Sequence, residues 1–447
     1  MRVRTALVSF AAMVAAAVCA PAARATDCSG FFTACVNDDA LWPHAGPARF
    51  VAVGSTETVA SGQVGFGLVT SYLNRPVVLG TSLGAVKTNQ YAVNDQVNGT
   101  FLWSYGVSDR LQLDLAVPLT FGQGGTGLAP VTGGDGLKDT AARDVRFGFA
   151  YALVQHERAR DSLASDPAFA QRNAWGLVGR LEVSAPTGDA DQFAGERSGV
   201  FVPSLAGDWR SGRLFVGGEL GARVRPTTEV LGARIGTQLV TSLGVGYDLL
   251  ERPGLLTATL EAWALPTFAE QHQITNPGGV YVSTPDGQHI APSEWQLSVR
   301  TAPLPGGDLA VQAGGGGGIP LTGDVGITTP RFRFTLGIRW APLAYDSDHD
   351  GVPDARDRCP SQPAHTRDGC PAVPVAPSAP LVDLHLSGAR DACTGDPDLV
   401  DGFKEDDGCP DEDQDKDGVP DRFDKCPLVA EDYVGLIEGC PEAPKPP

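Results

Sequence analysis

Arg331-Phe332-Arg333-Phe334-Thr335-Leu336-Gly337-Ile338-Arg339-Trp340 is the stretch that decides the fold. Phe332, Phe334, Leu336, Ile338 and Trp340 take every second place, with Arg333, Thr335, Gly337 and Arg339 between them. A period of two is that of a β-strand, whose successive side chains point to opposite faces. The rhythm recurs upstream. Leu111, Leu113, Leu115, Val117 and Leu119 alternate with Gln112, Asp114, Ala116 and Pro118; Val145, Phe147, Phe149, Tyr151 and Leu153 alternate against Arg146; Trp175, Leu177, Leu181 and Val183 alternate against Arg180 and Glu182. A soluble sandwich alternates too, so length and loop pattern must separate the readings.

Twelve such segments fall near 63–73, 96–106, 110–121, 144–154, 174–186, 199–210, 213–226, 237–249, 255–266, 293–302, 308–319 and 330–341. Most run about 10–13 residues, which a tilted strand needs to cross a bilayer; soluble strands average about 5–6. Tight turns at 107–109, 211–212, 250–254 and 303–307 alternate with longer loops at 74–95, 122–143, 187–198, 227–236, 267–292 and 320–329. The connection at 155–173 departs from this order by being long, polar and helix-like. Short turns on one side and long loops on the other are the asymmetry of outer-membrane barrels. The expectation is an all-β chain, an antiparallel transmembrane β-barrel of about 12 strands over residues 60–341.

With tight turns after every even strand, both barrel ends fall on the short-turn, periplasmic side. Asp114, Arg146, Arg180, Glu182, Glu219, Arg223, Arg225, Glu261, Arg300, Arg331, Arg333 and Arg339 are expected to point inward, because a charge facing lipid costs roughly 2–4 kcal/mol at mid-membrane. Two readings of this lumen stay open: a salt-bridged filler, or a modest pore. The closing Arg331–Trp340 strand resembles the C-terminal signal that such barrels present to the barrel assembly machinery, an expected partner beside outer-membrane lipid.

The chain begins with Arg2 and Arg4, an apolar run from Ala6 to Ala20 and Ala23-Arg24-Ala25, read as a signal peptide over 1–25. No later stretch is long and apolar enough for a spanning helix. Residues 26–59, with Cys28 and Cys35, are expected as an N-terminal periplasmic segment. Apart from Cys19 in the leader, the cysteines lie only at the two ends: Cys28, Cys35, Cys359, Cys370, Cys393, Cys409, Cys426 and Cys440. An even set behind a leader reads as disulfides. Charge is as unevenly spread. From residue 344 onward 25 acidic and 9 basic side chains give −16 of the chain's −19. That acidity excludes nucleic acid as a partner and points to cations.

The acidic part repeats. Asp346-Ser-Asp348-His-Asp350-Gly351-Val-Pro-Asp354-Ala-Arg-Asp357-Arg-Cys359-Pro360 returns as Asp413-Gln-Asp415-Lys-Asp417-Gly418-Val-Pro-Asp421-Arg-Phe-Asp424-Lys-Cys426-Pro427. Alternate aspartates before a glycine converge on a hard cation as in an EF-hand loop, but the terminal Glu and flanking helices are missing. The absence of a Cys/His cluster disfavours zinc. The pattern resembles the thrombospondin type 3 repeat in its bacterial form, with a degenerate copy at Asp398–Pro410. The resemblance implies Ca²⁺ on Asp346, Asp348, Asp350, Asp354 and Asp357, and on Asp413, Asp415, Asp417, Asp421 and Asp424. It also implies disulfides between successive turns; nearest-neighbour pairing gives Cys359–Cys370, Cys393–Cys409, Cys426–Cys440 and, at the far end, Cys28–Cys35. The expected order is a first repeat at 342–371, a Pro-rich linker at 372–392, degenerate and second repeats at 393–441 and a Pro-rich tail at 442–447.

The barrel, through Leu181-Glu-Val-Ser-Ala-Pro186-Thr187-Gly188-Asp189, resembles outer-membrane proteins that carry these repeats before an OmpA-like peptidoglycan-binding domain, and a barrel family associated with aromatic-compound degradation. That wall-binding domain is expected to be lacking here, leaving cell-wall or periplasmic proteins as partners. Gly80-Thr81-Ser82-Leu83-Gly84 matches a nucleophile elbow without the strand–turn–helix it needs, and Gly314–Gly318 lacks a dinucleotide-binding βαβ context. The function expected is non-enzymatic: an anchoring outer-membrane barrel with a periplasmic calcium-binding segment. The alternative is passive transport of small, aromatic or hydrophobic solutes.

Overall fold

The computed structural model describes residues 28, 32–83, 86–155, 175–230, 232–250, 254–275, 282–302, 308–322, 328–343 and, from 345 to 371, all but 349, 351, 355, 356, 365 and 367. The chain divides into two units, Met1–Ser347 and Asp348–Pro447. Residues 1–25, expected as a leader, the connection at 156–174, and the second aspartate set with Cys393, Cys409, Cys426 and Cys440 lie outside the described residues.

The first unit is a closed antiparallel barrel of twelve long strands. They are β1 (Val64–Leu83), β2 (Val86–Gly106), β3 (Leu111–Gly124), β4 (Arg146–Val154), β5 (Trp175–Ser184), β6 (Val200–Ser211), β7 (Leu214–Arg223), β8 (Gln238–Asp248), β9 (Thr257–Ala264), β10 (Ser293–Thr301), β11 (Leu309–Gly318) and β12 (Phe332–Trp340). Each pairs with the next, and β12 returns to β1 with Phe66 opposite Trp340 and Asn74 opposite Phe332. Closure leaves no sheet edge unpaired.

Alternation decides which side chain faces where. On β12, Phe334 and Leu336 are each 56% exposed on the outer face, while Thr335 between them is 5% exposed and Arg333 before them 1%. Leu243, Val245 and Tyr247 of β8, and Trp295, Leu297 and Val299 of β10, likewise line the outside. Of the charges expected inside, Asp114, Arg146, Arg180, Glu182, Glu219, Arg223, Glu261, Arg333 and Arg339 are buried. Arg331 is the correction. It precedes β12, outside the ladder, and is exposed.

The turn between β6 and β7 shows why a glycine is needed. Gly212 adopts φ +56°, the left-handed region that a tight hairpin demands. Residues 74–95 differ from the loop expected there. β1 and β2 continue as one long hairpin to the pair Leu83–Val86, with a bulge between Asn74 and Val78. Above the apolar band neither face of a ribbon must be apolar, so the sequence there keeps no period of two. Shorter elements decorate the same end: a helix at Ala129–Thr132, and ribbons pairing 228–230 with 233–235 and 272–275 with 282–285.

Residues 32–60 are the main surprise. The sequence predicts 26–59 as an N-terminal periplasmic segment; in the structure residues 32–60 run through the interior of the barrel. At the long-loop end Asn37 bridges to Ala194; at the short-turn end Ala60 N–H donates to Pro342 O at 2.8 Å and Ser61 bridges to Gly106. The segment supplies much of the core. Leu41, Ala45 and Val51 pack with Val69, Leu102, Ala116 and Trp263, and Phe50 and Val53 pack with Phe215. Ala34 and Val36 join Val77, Val93, Phe193 and Ile235 in an apolar cap under the long loops. A lumen that wall side chains alone leave unfilled is filled here by backbone.

Candidate functional site

The lumen segment bends at 45–47 and 49–53 and pairs with no barrel strand there, so its donors and acceptors must find wall side chains. They do so at intervals. Val51 and Ala52 N–H donate to the Glu261 carboxylate at 2.7–3.0 Å, and Gly54 N–H donates to Glu219 Oε2 at 2.8 Å. Val59 N–H reaches Gln112 Oε1 at 2.8 Å. In the other direction, Arg223 donates to Ala40 O at 2.9 Å, Arg146 to Pro43 O at 3.3 Å and Arg339 to His44 O at 2.6 Å.

Charge pairs fix the register. Asp38 meets Arg143 at 2.8 Å and accepts from Gln96 at 3.0 Å; Asp39 meets Arg333 at 2.9 Å and accepts from Asn98 at 2.8 Å. Arg333 also holds Glu294 at 2.7 Å. The His44 ring lies between Glu182, 2.9 Å from Nδ1, and Glu219, 3.2 Å from Nε2. Trp42 gives its indole N–H to Glu182 at 2.8 Å, and the Arg146 and Arg223 guanidiniums stand 4.3 and 4.8 Å from its ring centre. Buried ion pairs add little net stability but specify one arrangement. The glycines opposite are needed for close approach: a Cβ at Gly244 would sit 2.6 Å from the Phe50 ring. The space beside Trp42, His44, Glu219 and Trp263 has room for about one water. Among the described residues, the segment fills this part of the barrel.

None of Asp38, Asp39, Trp42, His44 or Glu294 was singled out in the sequence. Their partners lie far along the chain (175 residues for His44 and Glu219, 294 for Asp39 and Arg333), so no local spacing marks them.

The second site is the first aspartate repeat. Carboxylate oxygens of Asp346, Asp348 and Asp350 lie within 4.8 Å of one another, a group able to hold a metal ion. Asp350 orders the loop by accepting from Val352 N–H at 2.8 Å and Ala364 N–H at 3.1 Å. Asp357 accepts from Cys359 N–H at 2.7 Å. Desolvation, and then the neighbouring Asp348, Asp350 and Asp354, push the Asp357 carboxyl above the usual range. Asp348 Oδ2 and Asp357 Oδ2 are buried with no hydrogen-bond partner among the described residues. Orphaned carboxylate oxygens in an all-oxygen set fit a hard cation such as Ca²⁺. Asp354 is half-buried on the same turn. Disulfides join Cys359 to Cys370 and Cys28 to Cys35, two of the four expected pairs.

Residues 345–367 and 400–432 match the thrombospondin type 3 repeat. The first match covers the aspartate cluster, and the second covers Asp413, Asp415, Asp417, Asp421 and Asp424. Among curated proteins no sequence relative is found. The barrel is similar to solved bacterial barrels. An outer-membrane channel of Pseudomonas putida F1 is 14% identical at TM-score 0.42, over 64% of this chain and 98% of that one. A FadL homologue of Pseudomonas aeruginosa is 11% identical at TM-score 0.34, over 67% and 99%. The KdgM porin is 7% identical at TM-score 0.32, over 62% and 98%.

Proposed function

We propose that this protein is a non-enzymatic conduit in a bacterial outer membrane, shut in the observed state by its own N-terminal segment, with a calcium-binding repeat segment on the periplasmic side. One observation carries the reading: the lumen is occupied by a length of chain that is not part of the strand wall. Barrels of about eight strands close with wall side chains alone. Here the wall presents Gly217 and Gly244 to Phe50, so the free width is set by what the segment places there. The apolar outer band against a buried ionic interior supports the bilayer placement, since lipid tolerates the first and not the second. The tail follows β12 at the short-turn side, which in barrels of this kind faces the periplasm. At the first repeat, Asp346, Asp348, Asp350, Asp354 and Asp357 would hold the ion, and the ion would supply the charge that lets these carboxylates stay close.

Planar-bilayer recording on the purified full chain tests the reading. Brief openings from a mostly closed state are expected, and they should become frequent once the segment's seating is weakened. A membrane anchor with no transport role is the second reading, favoured by the repeats at the chain's acidic end; complete silence in wild type and in weakened variants supports it.

A further inference from the structure

Where the lumen segment passes Asp38 to Pro43, four arginines of the barrel converge on it. Arg143 precedes β4, Arg146 opens β4, Arg223 ends β7 and Arg333 lies on β12. Arg333 has Glu294 on the wall, but its second partner, Asp39, comes from the segment, as does Arg143's partner Asp38. Arg146 and Arg223 have no carboxylate within ion-pair distance among the described residues. Each donates to a backbone carbonyl of the segment and stacks against Trp42. Both are more than nine-tenths buried, and the Nε of each has no hydrogen-bond partner. Nearby Glu182 meets His44 and accepts the Trp42 indole N–H, both at Oε2 and both from the segment.

We propose that these arginines form an anion site on the solute path, and that Asp38 and Asp39 occupy it in place of a small carboxylate-bearing solute. This rests on the conduit reading and adds the substrate class. A guanidinium offers a planar fork of donors that matches a carboxylate, and an aspartate side chain is chemically a tethered acetate. Two in succession imitate a short dicarboxylate. With the segment displaced, four buried guanidiniums would face the lumen, Arg333 with Glu294 as its wall partner and Arg146 and Arg223 with no carboxylate at ion-pair distance among the described residues. Such a surface draws anions and rejects apolar solutes, whose passage would leave those charges without partners.

The test uses the full chain, with Asp38→Asn/Asp39→Asn to unseat the segment and the same variant carrying Arg146→Gln/Arg223→Gln. Heat-modifiable migration verifies that each folds; if the fourfold variant does not, Arg223→Gln alone in the Asn background takes its place. In a KCl gradient the Asn variant should open and pass anions preferentially, and the arginine changes should lower its anion-to-cation permeability ratio about tenfold. Succinate should block the Asn variant and raise the temperature at which its folded gel form is lost; neutral succinamide should do neither. Open currents whose selectivity ignores the arginine changes, or which succinate does not block, overturn the anion site and leave the conduit standing. If neither variant conducts, the conduit reading fails. The thermal measurement then decides the site alone: stabilisation by succinate that disappears with the arginines upholds it, and no stabilisation overturns it.

Discussion

Replacing Glu261 by alanine should loosen the lumen segment without disturbing the barrel. The carboxylate accepts from Val51 N–H at 2.9 and 3.0 Å and from Ala52 N–H at 2.7 Å, and Glu261 is 1% exposed. A hydrogen bond to a charged group is worth about 1.5–3 kcal/mol, so two donors lose about 3–6 kcal/mol. Removing the carboxylate also removes its own desolvation cost, which trims the net to about 3 kcal/mol. That corresponds to about a hundredfold rise in local opening. Hydrogen exchange followed by mass spectrometry reads it directly: amides of residues 45–57 should exchange about a hundredfold faster, while β8, β9 and β10 keep their protection. Glu261→Gln, which retains one acceptor oxygen, should fall between. If protection at 45–57 is unchanged in the alanine variant, or already absent in wild type, the segment is not seated on Glu261 and the reasoning fails.

Leu336→Arg puts a charge at the centre of the outer band, where Leu336 is 56% exposed; a cost of about 2–4 kcal/mol should appear as a lower midpoint in reversible unfolding from lipid vesicles. Phe50→Ala empties the space between Phe215, Gly217 and Gly244, and should cost about 3–5 kcal/mol, seen as a lower temperature for loss of the folded gel form. Titrating Ca²⁺ into the full chain should change its circular dichroism at roughly 10⁻⁴–10⁻³ M, and Asp348→Asn should weaken the first repeat's share on the order of tenfold. No change up to millimolar Ca²⁺ would remove the calcium assignment.

The strands were legible because an apolar outside and a charged inside impose a period of two across the apolar band. The run from Phe332 to Trp340 shows both faces in nine residues, and its burial follows the written alternation. The aspartate loop was legible for a different reason: its ligands are neighbours in sequence, so Asp346, Asp348 and Asp350 converge by local turns. The lumen segment obeys neither logic. It bends through the lumen without a strand partner, its contacts are spread over many wall strands, and Glu261 lies 210 residues from Val51. Its apolar and charged residues therefore read only as an N-terminal periplasmic segment. Arg331 shows the limit of parity, since a rule about strand faces says nothing once the ladder has ended.

The claim beneath all of this is that residues 32–60 thread the barrel, and thiol accessibility tests it most directly. Ala45 and Val53 are each 2% exposed within the lumen, whereas Ser61 at the rim is exposed. With Ala45→Cys, Val53→Cys and Ser61→Cys made singly, and wild-type labelling subtracted, a bulky maleimide should modify only position 61 in the native protein and all three after heat unfolding. Equal native labelling at 45, 53 and 61 would mean that the segment hangs outside and the lumen is not closed by it.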